Sequence, residues 1–106
     1  MAYDTLKKLA VDVVDDFSSM DIAAGYFPPR NGAARYNAKT KLDTIELTAP
    51  VRSVMPPRIN KVMAKAYGSA WSDVSAYETV KLASIGDTIK LCAKHAGEAI
   101  PSGEPT

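Results

Sequence analysis

The 106 residues hold one cysteine, one histidine and one tryptophan, and each scarcity closes off a class of chemistry. A lone Cys92 excludes a disulfide within the chain and fits a reducing compartment. A structural zinc site needs about four Cys or His ligands. Cys92 and His95 stand one helical turn apart and supply two, so a metal site would need a second copy of the chain. The plainer reading is a buried thiol beside an exposed histidine at a helix C-terminus, where an imidazolium suits the helix dipole. Any nucleophile activated by imidazole must use His95, and no nucleophile-elbow or zinc-protease motif accompanies it. The six glycines form no phosphate-binding pattern. Neither a cofactor nor an enzymatic activity is expected.

No apolar run approaches the roughly 20 residues of a membrane span. Lys7 and Lys8 precede Leu9-Ala10-Val11, but Asp12, Asp15 and Asp16 break up what a secretory signal would need as an unbroken apolar stretch. The N-terminal stretch therefore reads as part of the folded chain, and the cytoplasm or a macromolecular assembly as its location. A net charge of +1 gives no bulk attraction to nucleic acid or lipid. The length suits one domain, 1–106, with a modest core. An apolar content of 46% with 24% charged residues is that of a globular chain.

The small net charge conceals an uneven layout. Residues 26–65 carry Arg30, Arg35, Lys39, Lys41, Arg52, Arg58, Lys61 and Lys65 against Asp43 and Glu46, eight cations to two anions. The flanks are acidic, with two lysines to five aspartates before residue 26 and three lysines to five acids after residue 65.

A mainly α fold follows from the apolar spacing: three to four short helices, a long irregular basic arm over 26–56, and at most one or two short strands. Leu6, Leu9, Ala10, Val13 and Phe17 predict a helix over 4–18, capped by Asp4. Its charges run against the helix dipole, Lys7 and Lys8 near the start and Asp15 and Asp16 near the end, at a few tenths of a kcal/mol each. They either serve a partner or form a solvated face with a Lys8–Asp12 pair. A calcium loop is not indicated, because no alternating ligands surround a glycine turn.

Tyr26-Phe27-Pro28-Pro29-Arg30-Asn31-Gly32 cannot continue a helix. Residues 42–51 alternate as a strand would, with Ile45, Leu47, Ala49 and Val51 facing one way, although Pro50 confines that strand to an edge or ends it. Pro56-Pro57 opens a helix whose stripe is Ile59, Val62, Met63, Ala66 and Ala70, ending near Gly68. Ser75 and Glu78 have the spacing of a capping box. Leu82, Ile85, Ile89, Cys92 and Ala96 then make a helical stripe, with a break offered at Gly86-Asp87 or a hairpin across 84–87. The helical region covers 57–98, and 99–106 reads as a loose tail. Phe27-Pro28-Pro29-Arg30 and Met55-Pro56-Pro57-Arg58 echo each other as stiff polyproline segments presenting an arginine.

The functional reading rests on the arm. Tyr26, Phe27, Arg30, Arg35, Tyr36, Lys39, Lys41, Arg52, Arg58, Lys61 and Lys65 combine cations with aromatics. They suit contact with neighbouring protein subunits in a homo- or hetero-oligomer, with Asp12, Asp15 and Asp16 as the acidic counter-face. A structural or assembly subunit, viral or phage components included, fits this layout. The same residues suit single-stranded nucleic acid, with phosphates on the cations and bases on the rings. A solvated loop is the third reading.

Overall fold

The computed structural model describes residues 3–18 and 36–106, and it is mainly helical. Five α-helices are described, one more than the sequence predicts. Helix α1 spans Tyr3–Ser18, α2 Ala49–Arg52, α3 Pro56–Tyr67, α4 Ala76–Thr79 and α5 Ile85–Ala96, with 3-10 turns at Leu42–Ile45 and Gly68–Ala70.

Helix α1 forms where the apolar spacing places it. Leu6, Ala10, Val13, Val14 and Phe17 are buried in one cluster, and α1 lies against α5 and α3. Each such buried aliphatic or aromatic side chain contributes about 1.5–3 kcal/mol relative to exposure. Leu9, expected in the buried row, lies at its half-exposed margin.

The strand expected over 42–51 does not form, and no strand is present among the described residues. Instead Leu42–Ile45 makes a 3-10 turn closed by Glu46 in the left-handed region, φ 71°, and Leu47 N–H bonds back to the Leu42 carbonyl at 2.9 Å. That turn sends Leu42 and Leu47, five positions apart, into the core together, while Ala49 stays exposed. Pro50 then decides the rest. It has no amide for a ladder and fits a first helical turn, and α2 takes it there. The sheet-like pairing that remains is one antiparallel bridge, Lys41 with Ser84. It is flanked by Leu42 N–H to Ala83 O and Ile85 N–H to Thr40 O, both 3.0 Å.

Helix α3 opens on Pro56-Pro57, buries Ile59 and Met63, and stops at Gly68, φ 62°. The echoed Met55-Pro56-Pro57-Arg58 is therefore helix start rather than polyproline. Asn60 of α3 fastens the next segment: its Oδ1 accepts from Trp71 Nε1 (3.1 Å) and Val74 N–H (2.8 Å), and its Nδ2 donates to the Val74 carbonyl (3.1 Å).

Helix α4 carries the expected capping box of Ser75 and Glu78. The break before α5 falls earlier than Gly86-Asp87, and both residues lie inside α5. Ser84 is the N-cap, its Oγ accepting from Asp87 N–H at 3.2 Å, while Asp87 Oδ2 accepts from Ala83 N–H at 3.3 Å. Gly86 serves close approach instead: a Cβ there would meet the Ala38 carbonyl oxygen at 3.0 Å, and its N–H bonds that oxygen at 2.9 Å. No hairpin forms across 84–87. The predicted stripe of Leu82, Ile85, Ile89, Cys92 and Ala96 is buried throughout.

The tail read as loose turns back onto α1. Lys7 Nζ lies 2.9 Å from Glu104 Oε1 and 3.3 Å from Thr106 Oγ1, and Ile100 packs against the core. Tyr3 is buried beside this contact, and desolvation foremost, then Glu104, pushes its hydroxyl up to about 12.

Candidate functional site

Of the proposed arm, Tyr26, Phe27, Arg30 and Arg35 lie outside the described residues, as does the turn over 26–32. The described remainder is folded into turns and helices, and its members divide into two groups.

Tyr36, Arg52 and Arg58 are occupied within the chain. The Tyr36 hydroxyl sits 3.2 Å from both Asp15 Oδ1 and Ser18 Oγ at the end of α1. Arg58 Nη2 reaches Asp16 Oδ2 at 3.2 Å. Arg52, with a side chain only 11% exposed, places Nη1 2.7 Å from the Leu47 carbonyl and 2.8 Å from Asp43 Oδ1, and Nε 3.3 Å from the Val80 carbonyl. Asp12, Asp15 and Asp16 of α1 are correspondingly not a solvated face. Asp12 and Asp15 are buried, Asp12 holds Lys8 at 2.8 Å, and Asp15 and Asp16 meet Tyr36 and Arg58. Burying a carboxylate is costly unless it is paired or hydrogen-bonded, and that requirement places the tyrosine and the arginine.

Lys39, Lys41, Lys61 and Lys65 form the second group. All four are exposed and form no ion pair among the described residues. Lys90 and Lys94 on α5, and Lys81 just past α4, share that condition, which makes seven exposed lysines without an ion pair. The exposed carboxylates in the same state are Asp4, Glu46 and Asp73. The described surface is therefore cationic in its unmatched charge, despite the near-neutral total.

One aromatic stands out on that surface. Tyr77 of α4 is 72% exposed, and Lys81 Nζ lies 3.7 Å from its ring centroid. The ammonium over the ring face restrains both side chains.

Cys92 and His95 are not brought together as a ligand pair. Cys92 points into the core, fully buried, and desolvation pushes its thiol up to about 12. The nucleophilic thiolate is thereby suppressed. Labelling by a thiol reagent under native conditions is expected to proceed only as fast as the chain opens. Rapid labelling of folded protein would overturn this. No group of three or more His, Cys, Asp or Glu that could hold a metal is found among the described residues.

His95, expected to be exposed, has a side chain only 12% exposed. Its Nε2 is 2.8 Å from Glu78 Oε2, its Nδ1 is 2.8 Å from the Ser72 carbonyl and 3.1 Å from Ser72 Oγ, and its ring centroid lies 5.8 Å from that of Trp71. The His95 hydrogen bond, foremost among several causes, holds the Glu78 carboxyl below the usual carboxylate range. Serine, histidine and glutamate recur in acyl-transfer sites, but the wiring here differs. A base must offer a lone pair to the serine hydroxyl, and Nδ1 faces a carbonyl oxygen that can only accept. Sequence reading singled out His95 and missed Ser72 and Trp71, which no periodicity marks. Glu78 was visible only as a capping residue.

No protein-family model matches the chain, no curated protein matches its sequence, and no solved structure matches its fold.

Proposed function

We propose that the chain is a non-enzymatic subunit of a larger assembly that docks an acidic surface of a neighbouring protein through its exposed lysines. The observation that supports this reading is the charge imbalance: seven exposed lysines without an ion pair stand against three exposed carboxylates in the same state. Helices α3 and α5 hold four of these lysines on regular backbone, so less order has to be gained on binding. Charge of one sign on a folded face steers encounter and selects partners of opposite sign. Tyr77 adds an exposed aromatic of the kind that anchors protein interfaces. A structural component of a virus or phage and a peripheral subunit of a cellular complex both fit this role.

A protein partner is favoured over a nucleic acid by what the chain uses internally. Tyr36, the described aromatic of the basic segment, is engaged by Asp15 and Ser18, which removes it from base stacking. Arg52 and Arg58, suited to bidentate phosphate contact, are bound to carboxylates and carbonyls of the same chain. The acidic cluster on α1 is equally engaged, so the partner's acids come from another surface or another protein.

The test reverses Lys39, Lys41, Lys61 and Lys65 to glutamate together. Light scattering of the unmodified chain at low salt is expected to show self-association or binding to poly-L-glutamate, and the reversed variant to show neither while keeping its helical signal. An oligonucleotide that binds with a log–log salt slope of about −0.7 per phosphate neutralised would transfer the surface to nucleic acid. A chain monomeric at every salt concentration and inert to both polyanions would end the proposal.

A further inference from the structure

We infer that His95 is a protonation-dependent clasp that fastens helix α4 and the Ser72 backbone to the end of α5. Both ring nitrogens face oxygens that cannot donate: the Ser72 carbonyl is 2.8 Å from Nδ1, and the Glu78 carboxylate is 2.8 Å from Nε2. A neutral imidazole has one N–H and one lone pair, whereas the imidazolium donates from both nitrogens. Only the protonated ring satisfies the two contacts at once. The Ser72 hydroxyl does not change this balance. It lies 3.3 Å from the His95 carbonyl as well as 3.1 Å from Nδ1, and the carbonyl can take its proton. The Ser72 N–H already bonds that same carbonyl at 3.0 Å.

The surroundings of the ring are few and specific. Glu78 of α4 is the charged group against it, and the Trp71 ring, tilted by 42°, is the aromatic neighbour. Asp73 and Lys94, next to the clasp in sequence, are both exposed. Tyr67 at the end of α3 lies 3.3 Å from Glu98 rather than from the histidine.

What the clasp holds is a single helical turn. Helix α4 has four residues, too few to persist without tertiary support. Besides its capping box, the turn is held by the buried Thr79, by His95 on Glu78 and by Arg52 Nε on the Val80 carbonyl. Removing one of them loosens the element that carries Tyr77 and, just beyond it, Lys81.

The sign follows from the ring protons. Loss of one ring proton turns a lone pair toward one of the two oxygens, so both contacts are made only while both N–H groups are present. On the acid side the limit is Glu78. Its carboxyl, held below the ordinary range chiefly by the His95 bond, contributes above that range and loses its contribution as falling pH protonates it. The clasp is thus closed when the ring carries both protons and Glu78 is ionised, and it loses a bond when either condition fails.

Amide hydrogen exchange on the full chain reads this directly. After correction for intrinsic chemistry, exchange at Ser72, Thr79 and Val80 is expected to quicken about tenfold between about pH 5.5 and about pH 8. The Val13 amide in α1 should not respond, and His95→Gln should abolish the difference. Nitrogen-15 spectra of the unmodified ring should show two bonded N–H groups at the lower pH. Should His95→Gln fail to fold, those spectra and Glu78→Gln, which should shrink the response, decide the matter. Equal protection at the two pH values, an unaltered response in a folded His95→Gln, or a neutral ring at the lower pH with its lone pair toward Ser72 would each overturn the clasp.

Discussion

Replacing Trp71 by alanine is expected to lower the unfolding free energy by about 3–5 kcal/mol. The indole is 8% exposed, lies beside the His95 ring and donates Nε1–H to Asn60 Oδ1 at 3.1 Å. Its loss removes the largest side chain in the loop between α3 and α4 and opens a void between both helices and the end of α5. Asn60 would keep Val74 N–H as a partner, so most of the cost is packing. Trp71→Phe separates the terms, since it retains a ring and deletes only the donor, at about 1 kcal/mol. Urea unfolding at constant slope checks both values. An unchanged midpoint in Trp71→Ala would show that this corner is not part of the core. Domains of this kind have about 5–15 kcal/mol in total, so the full effect would leave a marginal protein.

Arg52→Met is the second large effect, expected at about 2–4 kcal/mol. The variant retains much of the aliphatic bulk and deletes the guanidinium. The pair with Asp43 contributes little, because that carboxylate is 73% exposed and exposed pairs are worth about 0–1 kcal/mol. The carbonyls of Leu47 and Val80, at 2.7 and 3.3 Å, matter more, since they lose a charged donor in a largely enclosed place. Asp43→Ala serves as the control and should shift the midpoint by only a few tenths of a kcal/mol. If the two variants matched, the ion pair would outweigh the carbonyl contacts and this account of Arg52 would fail.

The helical faces were legible because apolar spacing alone sets them. Leu6, Ala10, Val13 and Phe17 on α1, and Ile85, Ile89, Cys92 and Ala96 on α5, could be read from position. The Ser75–Glu78 box and the proline start of α3 were readable because capping chemistry is local. The segment over 42–51 misled because its alternation of apolar and polar residues imitates a strand, whereas the turn buries Leu42 with Leu47, an odd spacing that alternation would put on opposite faces. No partner strand is present among the described residues. Gly86 misled for a different reason: its glycine answers to the Ala38 backbone, nearly fifty positions away, and no local pattern records that contact. The same holds for the charged residues. Composition marked 26–65 as basic, but whether an arginine meets solvent or Asp16 depends on tertiary packing. The sequence therefore named the cations without sorting Arg52 and Arg58 from the four lysines.

The bond between Lys7 and Glu104 joins positions 97 residues apart, and it has a geometric consequence for anything attached to the chain. Both described ends emerge at one pole, beside the first turns of α1. A fluorescent reporter or a further polypeptide segment joined at Tyr3 or at Thr106 would leave from that same place. A linker joining the two ends would have little distance to cover, which makes the chain a natural subject for circular permutation. New ends could then be opened at the exposed Ser69.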